Sequence, residues 1–275
     1  MPQIMVTGAT DGIGLETARQ LLATKAEVLV HGRSETRATS LSTALNEDRH
    51  GGRAIPVWGD LSRMSEVVAL ASQVRAAGPE LNCLITNAGV YERTSALTVD
   101  GFERTMAINH LAHHLLTRLL LPLLQAAPHA RIVVVSSGTH HSGRLDLTDF
   151  TQPKNWSAYG AYSNSKLANL LWTRALAKRL ARTDITVNAL HPGVIGTKLL
   201  RAGFGNGGGL PLSGARTSVY LALDPAVAKV SGRYFVDCRD TKPAQNAMDE
   251  RAAESLWAES ERLLKPFLAG EGLAA

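Results

Sequence analysis

The feature that most constrains this chain is its beginning. Ile4-Met5-Val6-Thr7 is a short apolar run that ends in Gly8-Ala9-Thr10-Asp11-Gly12-Ile13-Gly14 and continues as Leu15-Glu16-Thr17-Ala18. Apolar run, glycine turn and helical pattern in that order describe a strand that feeds a helix through a tight turn. Glycine allows the turn and lets an anion come close, while the free N–H groups and positive dipole end of the helix beginning near Ile13 attract a pyrophosphate. The spacing is G-x-x-x-G-x-G, one residue longer in its first gap than the commonest dinucleotide fingerprint.

The rest of the chain repeats the alternation. Strands are predicted at Ile4–Thr7, Val28–Gly32, Ala54–Val57, Cys83–Thr86, Ile132–Ser136, Thr186–Leu190 and Arg233–Val236, with helices between them such as Met64–Ala76 and Tyr159–Arg182. Continuous apolar strands with helical crossovers imply an α/β, single-domain Rossmann fold: a doubly wound parallel sheet of about seven strands that binds ligands at the strands' carboxyl ends. A length of 275 residues suits one such domain over 1–275, with a substrate loop at about 194–213 and a C-terminal helix at about 247–265. There is no internal repeat, and the one low-complexity patch is Gly203 to Gly209.

Composition narrows the function classes. The net charge of +5 is dispersed, with no Lys/Arg-rich run, which argues against a nucleic-acid partner. The two cysteines, Cys83 and Cys238, are far apart and form neither a disulfide framework nor a C-x-x-C zinc motif. His110, His113 and His114 include an i, i+4 pair, but no glutamate follows His110 and no acidic ligand stands nearby, so core or interface histidines are expected and no metal. No G-x-S-x-G elbow occurs, which argues against a serine hydrolase. The first strand starts at Gln3 with no signal peptide before it, and no run reaches the ~18 to 20 apolar residues that span a bilayer, so a soluble cytoplasmic protein is expected.

Near the middle lies Tyr162-Ser163-Asn164-Ser165-Lys166. Four residues apart in a helix, the tyrosine and lysine leave one face, and an ammonium beside a phenol is expected to lower its pKa into a range useful for proton transfer. Hydride transfer from a nicotinamide to a carbonyl leaves charge on oxygen that must receive a proton as it forms, which is the need Tyr162 would meet.

The turn Thr7 to Gly14, Asp60-Leu61, Asn87-Ala88-Gly89, Asn109, Ser136-Ser137, Tyr162-x-x-x-Lys166 and Pro192-Gly193 together resemble the short-chain dehydrogenase/reductase family, from Gln3 to about Leu264. Within it the chain is similar to the retinol-dehydrogenase and WW-domain-oxidoreductase branch, through Ser136-Ser137-Gly138-Thr139-His140-His141, Ser165-Lys166-Leu167-Ala168-Asn169, His191-Pro192-Gly193-Val194 and Ser231-Gly232-Arg233-Tyr234-Phe235. The resemblance implies Ser137, Tyr162 and Lys166 as catalytic residues, with Asn109 at the position of a water relay. It places Gly8, Thr10, Asp11, Gly12, Ile13, Gly14, Asp60, Leu61, Asn87, Ala88, Gly89, Tyr162, Lys166, Pro192, Gly193 and Thr197 at the cofactor. Retinol-type members often carry an amino-terminal anchor, which is not expected here. Thr86 stands where relatives usually have an asparagine.

The second strand ends Val30-His31-Gly32-Arg33, with glycine where NAD enzymes place an acid and an arginine after it. A guanidinium can fork onto the extra phosphate of NADP, so Arg33 favours NADP(H) and leaves NAD(H) open. The substrate expected is a small-molecule, largely hydrophobic carbonyl or alcohol, under a mobile lid in which Leu199, Leu200, Phe204, Leu210 and Leu212 offer an apolar lining. Oligomerisation with copies of the chain is open. The alternative function is a non-catalytic dinucleotide-binding redox sensor on the same fold.

Overall fold

The computed structural model describes residues 1–48, 51–147, 154–205 and 207–269. Seven strands that the alternation predicted, β1 (Gln3–Val6), β2 (Glu27–Gly32), β3 (Arg53–Trp58), β4 (Cys83–Thr86), β5 (Arg131–Val135), β6 (Thr186–His191) and β7 (Tyr234–Val236), are joined by β8 (Arg239–Asp240) in one sheet. Its order is β3-β2-β1-β4-β5-β6-β7-β8. All pairs from β3 to β7 are parallel, and β7 pairs with β8 antiparallel. The strand beyond the expected seven is a two-residue hairpin return, too short to leave an alternation. Its turn residues Asp237 and Cys238 take the left-handed conformation, φ 47° and 61°, which suits the right-handed twist of a tight hairpin. Pro56 lies in β3, an edge strand where a missing N–H is tolerated.

Side chains along each strand alternate between two cores. Met5, Leu29, Leu84, Ile132 and Val134 face one side with Leu70, Leu115, Leu171 and Leu256, while Ile4, Val6, Val28, Val30, Ile85 and Val133 face the other with Leu21, Leu45 and Leu221. The first side is covered by α3 (Met64–Ala77), α5 (Ala112–Ala126), α6 (Ala158–Arg179) and α9 (Glu250–Leu268), the second by α1 (Gly12–Leu22), α2 (Glu35–Glu47) and α8 (Pro211–Leu223). Helix α6 stops three residues before the predicted Arg182 because the Thr183 hydroxyl donates to the Leu180 carbonyl at 2.8 Å, occupying an acceptor at the helix end. A short α4 (Arg104–Met106) runs into α5 through a π turn, Ala107–Leu111. Among the described residues no helix is long and apolar enough to cross a membrane.

Several histidines are built into this core as neutral rings. The Gly8 amide donates to His31 Nδ1 at 3.0 Å, and His31 Nε2 donates to the Gly59 carbonyl at 2.9 Å. His113 Nδ1 donates to the Asn109 carbonyl at 3.2 Å and its Nε2 faces the Thr7 hydroxyl at 3.0 Å. Burial holds His31 down at about 4 and His113 at about 3. His110 and His114 are lowered too, chiefly by burial, although Glu261 pulls His114 the other way. His110 bonds Ser260 and His114 bonds Glu261, so the three neighbouring histidines point to separate partners.

A folded pKa below the unfolded value of about 6.5 means that the unfolded chain takes up protons first as the pH falls. Stability is therefore complete above about 6.5, and is lost between 6.5 and the folded values at about 1.4 kcal/mol per pH unit for each such histidine. Thermal unfolding followed from pH 8 to pH 5 should give a midpoint that is flat above 7 and falls steeply below 6.5.

Candidate active site

The strand order reverses between β1 and β4, where the crossovers leave to opposite faces and a crevice opens at the carboxyl ends. A cleft of about 610 Å³ lies there. It is lined by every residue that the sequence assigned to the cofactor and by Ser137, Tyr162 and Lys166. Asn109 is not in its wall.

The glycine turn is fixed by close approach. Gly8 and Gly12 have φ of 66° and 56°. A Cβ on Gly14 would collide with the Gly8 carbonyl and Asn87 Nδ2, and one on Gly8 would come within 2.9 Å of Ala88 Cα. Asn87 reaches across to donate to the Thr7 carbonyl at 2.8 Å, and the Thr7 hydroxyl accepts the Asn87 and Ala88 amides at 2.9 and 3.0 Å. The Thr86 substitution leaves this staple intact, since the Thr86 hydroxyl turns to the Val133 carbonyl at 3.4 Å. Asp11 caps α1 through the Gly12 amide at 2.8 Å and pairs with Lys198 at 2.7 Å. Lys198 first, against partial burial and helped by Gly12, lowers the Asp11 pKa.

At the far end of the cleft, Arg33, just before the Ser34 cap of α2, is joined by Arg37 in the first turn of that helix. Burial raises the Asp60 pKa, but the Ser62 amide and hydroxyl, Arg33 and Arg104 outweigh it and keep the carboxylate ionised. Asp60 Oδ1 accepts from the Ser62 amide at 2.9 Å. Leu61 is buried behind it.

The Tyr162–Lys166 pair stands on α6 beside the end of β5. Tyr162 and Lys166 are 6% and 3% exposed, enough to show that neither is a solvated surface pair. Lys166 Nζ donates to the Val135 carbonyl at 3.0 Å and lies 5.7 Å from the Tyr162 ring centre. Burial pushes the Tyr162 phenol up to about 12 against a hydrogen bond from Ser137, and brings Lys166 down to about 8. The lowering of Tyr162 that its spacing to Lys166 led one to expect is not found: desolvation sets the direction, and Ser137 is the group that opposes it. Asn109, in the π turn, accepts from the Val90 amide at 2.8 Å and donates to the Val90 carbonyl at 3.1 Å and to Ser165 at 2.9 Å. Ser165 in turn donates to the Tyr162 carbonyl at 2.7 Å. A Cβ on Gly89 would sit 3.4 Å from Asn109 Oδ1 and 3.5 Å from Lys166 Nζ, which places Asn109 just behind the lysine.

The segment after β6 differs from the sequence reading. Pro192 and Gly193 lead to Thr197, which caps α7 (Lys198–Phe204) by accepting the Leu200 amide at 3.2 Å. Leu199, Leu200 and Phe204 line the cleft. Leu210 and Leu212 do not. The Gly196 and Gly209 amides hydrogen-bond across the base of the excursion, and the chain enters α8 at Pro211 with Leu210 and Leu212 facing out. Asn206, within the glycine tract, lies outside the described residues. The sequence reading also missed His31, Arg37, Tyr91, His191 and Lys198. Arg37 leaves no spacing signal, because Arg33 lies before the cap of α2 and outside helical geometry, whereas His191 stands in a motif from which only the proline and glycine were assigned. Tyr91 packs against Tyr162 and Phe204, with ring centres 5.5 and 5.3 Å away.

These residues fit a dinucleotide: a cradle that a single Cβ would fill, a helix N-terminus over it, and guanidinium groups where the ribose end would lie. Fold and site together define a dinucleotide-dependent α/β oxidoreductase. A sequence model of short chain dehydrogenases matches residues 2–204. Mouse retinol dehydrogenase 14 is 39% identical over 94% of this chain and 84% of its own length. A crystal structure of an uncharacterized protein from Mycobacterium paratuberculosis is 32% identical, with a TM-score of 0.81 over 96% of this chain and 94% of that one. The Pseudomonas aeruginosa RhlG/NADP active-site complex is 27% identical, with a TM-score of 0.68 over 85% of this chain and 93% of that one. The chain belongs to the short-chain dehydrogenase family, in its retinol dehydrogenase branch, and is an NAD(P)-dependent oxidoreductase.

Gly14→Ala should test the cradle, because the new methyl meets backbone that has nowhere to move. Overpacking of this kind typically costs about 1–3 kcal/mol, and dinucleotide affinity should fall at least ~10-fold with the turn displaced. Thermal unfolding and a fluorescence titration with NADPH would read the two effects separately.

Proposed function

We propose that this enzyme uses NADP(H) to interconvert a largely hydrophobic aldehyde or ketone with its alcohol, Tyr162 giving or taking the proton. The observation that carries the reading is a buried tyrosine, hydrogen-bonded by Ser137 and backed by a buried lysine, in the wall of a cleft whose adjoining surface is Leu199, Leu200 and Phe204. When bound, the dinucleotide supplies the hydride that adds to the carbonyl carbon, or accepts it in the reverse direction.

The chain's own groups handle the oxygen. Ser137 holds the substrate oxygen beside Tyr162 as a neutral donor. Tyr162, kept protonated by its burial, donates as negative charge develops. Lys166 brings the positive charge that makes the phenolate accessible in the opposite direction, and its depressed pKa of about 8 leaves it mostly charged at neutral pH. Asn109, clamped to Val90 and Ser165, stands where water can be held between Lys166 and solvent. Helix α7, in which no residue is fully buried, acts as the lid, latched by the Arg93 bond to the Ala202 carbonyl at 2.8 Å and by the Asp11–Lys198 pair.

NADP(H) is favoured over NAD(H) by Arg33 and Arg37 at the cleft end and by the glycine at position 32, where no carboxylate can repel a phosphate. RhlG, a relative in fold and sequence, is described with NADP at its active site. The name of the mouse relative, a retinol dehydrogenase, agrees with an apolar alcohol or carbonyl.

Tyr162→Phe should bind NADPH like the wild type and turn over at least ~100-fold more slowly, the lower range for lost general acid catalysis. Retention of half the wild-type rate on a panel of apolar aldehydes and ketones would overturn the role of Tyr162. Arg33→Ala should weaken NADPH more than NADH by about 1.5–3 kcal/mol, as expected for a lost charge-assisted contact. Equal losses in parallel titrations would mean that Arg33 does not read the phosphate.

A further inference from the structure

The peptide unit between Ser137 and Gly138 is held on both of its polar atoms by histidine rings. His140 Nδ1 lies 2.6 Å from the Ser137 carbonyl oxygen, and the Gly138 amide donates to His191 Nδ1 at 3.2 Å. The two contacts demand opposite tautomers. His140 Nε2 accepts from the Ala244 amide at 3.1 Å, so its proton sits on Nδ1 and is donated to Ser137. His191 accepts on Nδ1, so its proton sits on Nε2.

Both rings are kept neutral. His140 is fully buried, edge-on to Tyr234 at 5.1 Å and 4.2 Å from the His141 ring, and burial brings it down to about 4. Burial also lowers His191, which Asp237 partly opposes. The Ser137 carbonyl accepts in addition the His140 amide at 3.2 Å, closing the 3-10 turn Gly138–Ser142. On the side-chain side, Ser137 Oγ accepts from the Thr139 amide at 3.2 Å, which leaves its single hydrogen for the Tyr162 phenol, and for the substrate oxygen once that is bound.

We propose that His140 and His191 are positioning residues that clamp the Ser137–Gly138 peptide in one orientation and thereby set where the Ser137 hydroxyl meets Tyr162. The proposal rests on the role given to Ser137 above. A peptide plane bonded at its carbonyl from one side and at its N–H from the other cannot rotate without losing a bond, and the ψ of Ser137 held in this way fixes the direction of its Cα–Cβ bond relative to that plane. His140 also extends the clamp to the segment before α9, because its second nitrogen holds Ala244, and Asn246 Nδ2 in the same segment donates to the Gly143 carbonyl at 2.9 Å.

The test is a double-mutant cycle on the full chain with NADPH and an apolar aldehyde. His140→Phe should lower kcat about 10-fold with little change in the KM for NADPH, and His140→Asn, which keeps a donor near the Nδ1 position, should recover to within about threefold of wild type. In a Ser137→Ala background His140→Phe should cost nothing further, within about twofold, because its effect passes through the serine. Equal losses in both backgrounds, or an asparagine variant no better than phenylalanine, would overturn the proposal. Should His140→Phe fail to fold, ring 15N shifts of the wild-type protein decide it: protonation at Nδ1 of His140 and Nε2 of His191 supports the clamp, and the opposite tautomer at either ring overturns it. A Ser137→Ala enzyme with undiminished kcat would instead remove the role of Ser137, whatever the tautomers show.

Discussion

The contact on which the rest of the structure depends is the one between the ends of β1 and β4. A single hydroxyl, that of Thr7, receives two main-chain amides from the Asn87-Ala88 corner, and behind it lies the ring of His113. His113 passes the connection to the Asn109 carbonyl, and the Asn109 side chain passes it through Ser165 to the carbonyl of Tyr162. Buried polar groups joined in this way rigidify one another, since moving any of them strands its neighbour without a partner. The glycine cradle and Tyr162 are thus two ends of one network. A ligand seated in the first has its geometry to the second fixed by the protein interior.

The electrostatics of the site follow from the same burial. Removing water shifts Tyr162 upward and Lys166 downward, each toward its neutral form. The pair is left poised, with a phenol reluctant to ionise and an amine whose charge is easily influenced. In such surroundings each added charge or hydrogen bond acts through a low local dielectric and weighs more than it would at the surface. The Ser137 contact is already visible as an opposing influence on the tyrosine.

Much of this was legible in the sequence, and the limits have physical causes. The glycine turn and the Tyr162/Lys166 spacing are local patterns set by backbone geometry, and the structure places both in the cleft. The Thr7 network is invisible in one dimension because Thr7 and His113 are 106 residues apart, and neither residue type is unusual where it stands. Hairpin strand β8 has two residues and leaves no period. Leu210 and Leu212 read as apolar lining, yet they are 73% and 60% exposed, because pairing of Gly209 with Ile195 closes the excursion before them. The sense of the Tyr162 shift was misjudged for a related reason: the charge of Lys166 could be read from sequence, but the depth of burial could not.

The π turn at Ala107–Leu111 carries a different kind of constraint. Such a turn holds one residue more than an α turn, so removing one residue there would leave an unbroken, regular helix. Each residue of a regular α-helix advances it by about 100°, so a residue removed at the start of α5, beyond the spare one that the π turn absorbs, would rotate everything after it by that amount. Helix α5 is buried on most sides, and its two histidines meet separate parts of the fold, His113 the Thr7 hydroxyl at the end of β1 and His114 Glu261 on α9, while His110 in the π turn meets Ser260. A shortened chain could therefore keep its helix and lose its correspondence with both the sheet and the C-terminal helix. At this place the number of residues is under stricter control than their kind.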